Sequence, residues 1–418
     1  MKRHILISLK KSVAYIGGLV YNILHGRLRL CFSIGVDALK IKITAVLAAA
    51  VAAVFAAAPA AFAYADTAAG ACVVNAVTGE VVFERDSGTR LPMASTTKIM
   101  TLVTVLENSE PDEVVTISAE AASAEGSSAY ISAGARMTVR DLCYGLMLNS
   151  GNDAAVALAE HVSGNTDDFA AEMTALAHEI GAFDTAFKNP NGLNAEGHYT
   201  TARDLAEITR CAMKNEEFRE IVSTRSYTAA ETLADGTVKQ LEYINHNKLL
   251  GSYDGCIGVK TGYTESAGRC LVSAAERGGA EYIAVTLHSK NDWAEHREML
   301  DLAFSGTRMV EAVSEGECVR HIVSGGEDCE IVAAEGFSVP VNGDKGADIT
   351  VKVEVSDDIA PPLNKGEKVG VLRIYCGGEQ VGCVDAEAGS DMAAAEPEYR
   401  IKPCFFTTLK RMIKSIFG

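Results

Sequence analysis

Long polar tracts are absent from this 418-residue sequence, in which 48% of the residues are hydrophobic. A chain of this length and composition can bury more than one core, and a single continuous domain would be unusual. The lack of polar tracts therefore predicts two globular domains.

Cysteine pairs with zinc-ligand spacing, such as Cys-x-x-Cys, are also absent. The eleven cysteines are odd in number and scattered, which argues against a disulfide framework. We interpret Cys376 and Cys383 as a chance pair in a hairpin, and Cys31 precedes the predicted mature chain. The pattern predicts buried free thiols, as in an organism that lives with little oxygen, together with no metal site and no cofactor.

Positive charge is scarce between the two ends of the chain. Residues 1–42 hold eight Lys or Arg and residues 399–418 hold five, so only 25 of the 38 basic residues remain to face 54 of the 55 acidic ones. An acidic body repels the phosphate backbone, so we exclude nucleic acid as a partner. We interpret the negative charge as a source of solubility outside the cell.

An Ala-rich hydrophobic run occupies residues 43–63, follows Lys40 and Lys42, and ends in small residues before Asp66. These features are typical of a cleaved export signal, so we predict a leader over residues 1–65 with its core at 43–63. A permanent membrane anchor is the alternative, because the run is just long enough to span a bilayer. Some forty residues before the core are unusual in a leader, and we expect the true start later, near Val36.

A first domain is predicted over residues 66–307. It begins with a strand pair, continues into an apolar helix that starts at Ser95, and returns to strands near Gly255. The predicted strands are 71–74 and 80–84, and the further helices are 139–148, 153–162, 167–180 and 202–211. Strands at both ends with helices between them predict an α/β fold whose sheet is completed by distant segments.

The composition changes after about residue 308, where apolar and polar residues begin to alternate. Residues 308–390, with a hairpin at Gly377-Gly378, are predicted to form a small all-β domain, and residues 391–402 a linker. Residues 403–418 place apolar side chains at helical spacing with Lys410, Arg411 and Lys414 between them. This pattern predicts an amphipathic helix on an anionic membrane surface, which would keep the exported protein at the outer face of the cytoplasmic membrane. Packing of this helix on the β domain is the alternative.

Three short motifs carry the chemistry: Ser95-Thr96-Thr97-Lys98, Ser150-Gly151-Asn152 and Lys260-Thr261-Gly262. Ser95 and Lys98 are one helical turn apart, so their side chains can touch. A hydroxyl becomes a nucleophile when a base removes its proton, and a lysine is a base only when its amine is neutral. Burial and a second cation, here Lys260, both favour the neutral amine. The order of the motifs predicts an acyl-transfer enzyme.

Each motif has an ordinary structural explanation when it stands alone. Ser95 fits a helix N-cap, the second motif fits a helix start, and the third fits a hairpin. The Ser-x-x-Lys spacing also recurs at Ser8 and Lys11, in the segment predicted to be removed. The catalytic interpretation therefore depends on the three motifs occurring together.

The second and third motifs supply the remaining groups of an acyl-transfer site. Ser150 can pass a proton to a departing amine, and the Asn152 amide can orient Lys98 and hold a substrate peptide group. Lys260 and Thr261 can bind a free carboxylate, and Gly262 lets a substrate backbone lie against the strand. The backbone N–H groups of Ser95 and Tyr263 are predicted to form the oxyanion hole.

With these motifs and their flanks, the sequence resembles the serine-type D-alanyl-D-alanine carboxypeptidases, the low-molecular-mass penicillin-binding proteins of bacteria. Residues 94–101, 148–155 and 258–264 carry the resemblance, and residues 189–193 and 247–250 add matches that we expect to lie outside the active site. The resemblance extends over residues 66–415.

The resemblance implies a transpeptidase-like, serine β-lactamase-like domain followed by the β domain and the amphipathic helix. It implies that an acyl-enzyme at Ser95 removes the terminal D-alanine from peptidoglycan pentapeptides and that β-lactams acylate the same serine. It also implies that Lys98 is the base, Ser150 the proton relay, and Lys260 with Thr261 the carboxylate clamp.

Three alternatives share parts of this pattern. A class A β-lactamase needs a glutamate in a Glu-x-x-Leu-Asn setting, which is absent between Ser150 and Lys260. A D,D-endopeptidase acting on crosslinked peptidoglycan would use the same residues, and this alternative stays open. An inactive, membrane-held muropeptide-binding protein is disfavoured because both lysines, both serines and Asn152 are retained.

Overall fold

The computed structural model describes residues 67–324, 327–343, 348–356, 359 and 361–393, and the backbone of 399–403. The predicted leader 1–65 and residues 404–418 of the predicted amphipathic helix lie outside the described residues. None of the helices in the described ranges combines the length and apolar character needed to cross a membrane.

The first domain contains nine strands in two antiparallel sheets. Its central sheet has the order β2-β1-β9-β8-β7, and a smaller sheet has the order β3-β4-β5-β6. The strands are β1 Gly70–Asn75, β2 Val81–Arg85, β3 Val114–Thr116, β4 Arg136–Thr138, β5 Ser226–Thr232, β6 Val238–Ile244, β7 Cys256–Thr264, β8 Gly268–Arg277 and β9 Ala280–Ser289. The central sheet thus joins the first strands of the domain to its last ones, as the sequence predicts.

Nine helices accompany these strands in the described part of the first domain. They are α1 Lys98–Asn108, α2 Ala119–Ala122, α3 Val139–Leu148, α4 Asn152–Ser163, α5 Thr166–Ile180, α6 Ala202–Ala212, α7 Glu216–Ser223, α8 Leu249–Ser252 and α9 Asp292–Ser305. The four helices predicted after the first motif are confirmed as α3 to α6. The segment that begins at Ser95 differs slightly, because Ala94–Thr97 form a 3₁₀ turn before α1 starts.

Both faces of the central sheet are buried. Cys72 and Val74 of β1 belong to the large core that also contains α1, α3 and α4, whereas Ala71 and Val73 pack with α9. Successive side chains of a strand point to opposite faces, so an apolar run is required where both faces are covered. The sheet therefore lies between two helical layers, and β7 forms one of its edges.

The second domain is all-β, as predicted. Its strands are β10 Thr307–Val313, β11 Cys318–Ser324, β12 Glu327–Ala333, β13 Phe337–Asn342, β14 Ile349–Val355, β15 Lys368–Cys376, β16 Glu379–Ala388 and β17 Tyr399–Pro403. They form a two-stranded sheet, β10-β13, and a six-stranded sheet, β14-β15-β16-β12-β11-β17. Gly377 and Gly378, both at positive φ, turn the chain between β15 and β16, which confirms the predicted hairpin.

The predicted linker 391–402 needs correction at its end. Residues Tyr399–Pro403 form β17, which pairs with β11 in antiparallel register from Ser324↔Tyr399 to Arg320↔Pro403. The segment Tyr399-Arg400-Ile401-Lys402 alternates apolar and basic residues, as an edge strand requires, but it is too short to stand out beside Pro397.

Two buried histidines make the folded state sensitive to acid. His296 contacts the Ser273 and Thr286 hydroxyls at 2.5 and 3.0 Å, and burial lowers its pKa to about 3. Burial, with a smaller effect from Lys188, lowers the pKa of His198 to about 4. An unfolded histidine takes up its proton near pH 6.5, so between about pH 6.5 and 4 the unfolded chain binds protons that the folded chain does not.

We therefore expect the free energy of unfolding to fall as the pH decreases from about 6.5 to 4. His296→Gln should lower the slope of this loss by up to about 1.4 kcal/mol per pH unit, whatever its effect at neutral pH. Urea unfolding at several pH values measures the slope, and His161→Gln, at the surface beside Glu113, is the control. Equal slopes for wild type and His296→Gln would contradict the prediction.

Candidate active site

The first motif places Ser95 in a tight turn rather than inside a regular helix. Ser95 is half-buried in the 3₁₀ turn Ala94–Thr97, and Ala94 before it has a φ of 48°, a conformation that costs energy in a residue with a side chain. The turn leads directly into α1, whose first eight residues are buried. The Ser95 hydroxyl is thus held at the N-terminal end of a buried helix.

Lys98 lies below this hydroxyl and is fully buried. Its Nζ lies 3.1 Å from Ser95 Oγ, 2.7 Å from Asn152 Oδ1 and 2.6 Å from the backbone oxygen of Asn191. Two of these three partners are carbonyl-type oxygens, which can only accept a hydrogen bond, whereas the serine hydroxyl can also donate one.

The surroundings of Lys98 favour its neutral form. Burial, with the nearby charge of Lys260, holds the pKa of Lys98 well below its usual 10.5, against a smaller opposing effect of Asp153. A neutral amine has two N–H groups, which the Asn152 and Asn191 oxygens accept, and one lone pair, which remains for the Ser95 hydroxyl proton. The contacts therefore aim the base at the nucleophile.

The second motif lies in the turn before α4. Ser150 is buried at a φ of 59°, and Asn152 begins the helix. The Asn152 side chain donates through Nδ2 to the backbone oxygen of Glu125, which leaves Oδ1 for Lys98. This arrangement supports the predicted orientation of Lys98. The Asn152 amide nitrogen has a second N–H group, so the expected contact with the substrate's peptide group stays a prediction.

Asp153, which the sequence marks only as a helix start, holds the neighbouring loop in place. Its carboxylate accepts hydrogen bonds from the Ser128 hydroxyl at 2.6 Å and from the backbone N–H groups of Ala129 and Ile131 at 2.8 and 3.3 Å. The loop in turn meets the second motif, because the Asn152 N–H donates to the Ser127 oxygen at 2.7 Å. Asp153 is thus a positioning residue for the motif.

The third motif lies on β7, the edge strand of the central sheet. A Cβ atom on Gly262 would stand 3.0 Å from the backbone nitrogens of both Ser95 and Thr96, so the strand passes close beside the 3₁₀ turn Ala94–Thr97. Tyr263 next to it is exposed. An edge strand leaves alternate backbone groups unpaired, and these can bind an extended peptide.

Lys260 lies close enough to Lys98 for its charge to affect the pKa of that amine. It is only 2% exposed, its Nζ donates to the Thr261 oxygen at 3.0 Å, and burial lowers its pKa to about 7. Its charge also contributes to lowering the pKa of His246, after burial. The effect of Lys260 on Lys98 shows that the first and third motifs share one electrostatic environment.

Residues 189–193, expected outside the active site, form one of its walls. The Asn191 backbone oxygen contacts Lys98, and a Cβ atom on Gly192, at a φ of 89°, would overlap the Ala94 oxygen at 2.0 Å. Asn189 fixes the turn, since its Oδ1 accepts from the Gly192 N–H at 2.7 Å. The expectation was wrong because this segment acts through backbone atoms, which residue types alone do not reveal.

His198 stabilises the 3₁₀ turn Ala94–Thr97 through a hydrogen bond to Thr97. Its Nδ1 accepts the Lys188 backbone N–H at 3.0 Å, so the neutral ring carries its proton on Nε2 and donates it to Thr97 Oγ1 at 2.8 Å. This contact was not predicted, because it joins residues 101 positions apart.

Comparison with known proteins agrees with this arrangement. A family model described as D-alanyl-D-alanine carboxypeptidase matches residues 55–291, more than half of the chain, and contains all three motifs. The chain belongs to the D-alanyl-D-alanine carboxypeptidase family. A second model, the C-terminal domain of penicillin-binding protein 5, matches residues 308–394, which correspond to the all-β domain.

Individual relatives match this chain over most of their own length. The chain is 33% identical to D-alanyl-D-alanine carboxypeptidase DacF of Bacillus subtilis, over 83% of this chain and 89% of the relative. The Streptomyces K15 DD-transpeptidase crystal structure superposes with a TM-score of 0.55 at 37% identity, covering 57% of this chain and 97% of that one. The crystal structure of D-alanyl-D-alanine carboxypeptidase DacD from Francisella tularensis superposes with a TM-score of 0.54 at 27% identity. It covers 78% of this chain and 94% of that one. These likenesses confirm the predicted fold class and the predicted family.

Proposed function

We propose that this chain removes the terminal D-alanine from peptidoglycan pentapeptides through an acyl-enzyme on Ser95, and that β-lactams acylate the same serine. The observation that carries the proposal is the buried Lys98 amine, which is bound by two carbonyl-type oxygens and lies 3.1 Å from Ser95 Oγ. This geometry supplies a base for a hydroxyl nucleophile and is consistent with the serine peptidase chemistry of the family.

Acylation starts when the Lys98 lone pair takes the Ser95 proton. Ser95 Oγ attacks the carbonyl carbon of the penultimate D-alanine, and the negative oxygen that forms is stabilised by the Ser95 and Tyr263 N–H groups. The proton then passes from Lys98 through the Ser150 hydroxyl to the leaving nitrogen, the C–N bond breaks, and D-alanine departs as an amine. Lys98 is neutral again at the end of this half-reaction.

Deacylation repeats these steps with water as the nucleophile. Lys98 accepts a water proton, the resulting hydroxide attacks the ester carbon, and Ser95 Oγ leaves and recovers the proton. A β-lactam follows the first half only as far as ring opening. Its leaving nitrogen stays attached to the acyl group, and the ester is hydrolysed slowly.

Lys260 and Thr261 select a substrate with a free carboxylate. With a pKa of about 7, Lys260 is partly protonated at neutral pH, and a bound carboxylate favours its charged form. The Thr261 hydroxyl adds a neutral donor. Gly262 and Tyr263 let the substrate backbone lie along the edge of β7 as an added strand.

We further propose that the mature chain begins near Asp66, with a peptidase domain over 66–307 and an all-β domain over 308–390. The hydrophobic run 43–63 supports export, and the basic amphipathic pattern of 403–418 supports binding to an anionic membrane at the outer face of the cytoplasmic membrane. The enzyme would then act on cell-wall precursors close to the membrane surface.

Product analysis tests the proposed activity. The purified enzyme is incubated separately with a muropeptide pentapeptide and with a crosslinked dimer, and the products are separated and weighed by mass spectrometry. We expect free D-alanine and a tetrapeptide from the first substrate, at a higher kcat/KM than cleavage of the second. Faster cleavage of the dimer would establish the D,D-endopeptidase instead, and binding of both substrates without products would establish an inactive muropeptide-binding protein.

A further inference from the structure

A second cluster of reactive side chains lies in the all-β domain, on the hairpin formed by β11 and β12. Cys318 and His321 of β11 and Glu330 of β12 place one sulfur, one imidazole nitrogen and one carboxylate oxygen within 4.8 Å of one another. Cys318 and His321 are partly exposed and Glu330 is exposed, so ions in solution can reach the cluster. It lies outside the catalytic site described above.

A β-bulge brings these three residues to one face of the hairpin. The register runs from Cys318↔Val332 directly to Arg320↔Ile331, so Val319 is an extra residue in β11. Without the bulge, Cys318 and His321 would point to opposite faces, because three positions separate them. With it, both share the face of Glu330, which pairs with His321, while Val319 is buried in the core.

The separation of sulfur and nitrogen fits a tetrahedral metal. Cys318 Sγ lies 3.5 Å from His321 Nε2. A zinc ion about 2.3 Å from a thiolate and about 2.05 Å from an imidazole nitrogen, at the tetrahedral angle, would hold those two atoms about 3.6 Å apart. The described geometry thus needs little change to accept the ion.

Asp328 fixes the imidazole in the orientation that a metal requires. Its Oδ1 lies 2.9 Å from His321 Nδ1, so the Nδ1–H group donates to the carboxylate and the Nε2 lone pair faces Cys318. A histidine that binds metal through one nitrogen commonly donates its other N–H to a carboxylate in this way. The hairpin therefore carries three candidate ligands and the group that orients one of them.

We propose that Cys318, His321 and Glu330 bind one Zn²⁺, with a water molecule as the fourth ligand. Thiolate and imidazole ligands favour zinc over magnesium or calcium, which prefer oxygen. On binding, the Cys318 thiol releases its proton to solvent and its sulfur forms the bond to zinc. The ion links β11 to β12 and stabilises the hairpin, and it takes no part in peptide hydrolysis.

The test uses the full mature chain without a histidine tag, stripped with a chelator and dialysed. Titration with Co²⁺ reports the site, because a tetrahedral cobalt-thiolate centre has visible d–d bands and a near-ultraviolet sulfur-to-cobalt band. We expect both features to saturate at one Co²⁺ per chain and to disappear when Zn²⁺ is added. Asp328→Asn should weaken Zn²⁺ binding by roughly 10–100-fold and keep the sulfur band.

Two cysteine variants make the result specific. Cys318→Ser should abolish the sulfur-to-cobalt band, whereas Cys383→Ser, which removes an exposed thiol of the same domain, should leave it unchanged. Glu330→Gln keeps the shape of the side chain and should reduce affinity. The metal-free circular dichroism spectrum and urea-unfolding midpoint of Cys318→Ser should equal those of metal-free wild type, which shows that the variant is folded.

Either of two outcomes would overturn the proposal. One is a wild-type titration without a sulfur-to-cobalt band. The other is a band that survives in Cys318→Ser and is lost in Cys383→Ser, which would place the metal elsewhere in the domain. The proposed peptidase activity is tested separately, with a pentapeptide and a crosslinked dimer. Neither outcome of the metal titration affects that test.

Discussion

Ser95→Ala is expected to lower kcat/KM for release of D-alanine by at least about 10⁴-fold, because loss of the nucleophile removes the acyl-enzyme route entirely. The substitution takes away only one oxygen at a half-buried position, and Lys98 keeps its contacts with Asn152 and Asn191. Release of D-alanine from the pentapeptide, followed by mass spectrometry, measures the loss.

The matched control is Ser305→Ala, which removes an exposed hydroxyl at the end of α9. This variant should hydrolyse the pentapeptide at the wild-type rate. If Ser95→Ala retained a rate within tenfold of wild type, a different residue would have to be the nucleophile. The roles assigned to all three motifs would then be wrong.

Lys98→Met should lower the rate of acylation by penicillin by at least about 10³-fold, with reversible binding of penicillin retained. Methionine matches the length of the buried lysine stem but cannot accept the Ser95 proton, and it leaves the Asn152 and Asn191 oxygens without their N–H partners. Stopped-flow measurement with a fluorescent penicillin separates the acylation rate constant from the binding constant.

Lys290→Met, at an exposed position of the same domain, controls for the loss of a positive charge. It should acylate like wild type. An acylation rate for Lys98→Met close to that of wild type would mean that another base serves Ser95. A loss of reversible binding alone would assign Lys98 to substrate recognition.

Helix positions were predicted well where local chemistry alone sets them. The predicted helix 139–148 coincides with α3, where Thr138 accepts the Asp141 N–H in its first turn and apolar residues occupy the buried positions. The three motifs were found from residue types and order. Lys98 and Asn152 meet at 2.7 Å, as the pattern predicts, because each belongs to a rigid helix of one core.

Other features depend on contacts that residue types do not encode. Helix α7, the hairpin of β5 and β6, and helix α9 were not predicted. In α7, only Phe218, Ile221 and Val222 are buried, so its apolar pattern spans little more than one turn. Gly192 serves the site through its φ angle, and its partner Ala94 is 98 positions away in the sequence.

The all-β domain also contains a feature that residue types alone do not predict. The expectation of no metal site was based on the absence of Cys-x-x-Cys, whereas the proposed ligands combine a Cys-x-x-His pair on β11 with a glutamate on β12. A three-position spacing within a strand ordinarily separates side chains to opposite faces, and only the bulge at Val319 reverses this. Bulges depend on strand pairing, which a single sequence does not display.

Peptide mapping after incubation with penicillin tests whether Ser95 is the nucleophile. Trypsin cleavage after Arg90 and Lys98 isolates residues 91–98, in which Ser95 is the only serine, while Ser150 falls in the separate peptide 141–188. We expect a single penicilloyl adduct, on Ser95 in peptide 91–98, and none in Ser95→Ala. An unmodified wild-type protein, or an adduct on peptide 141–188, would contradict it.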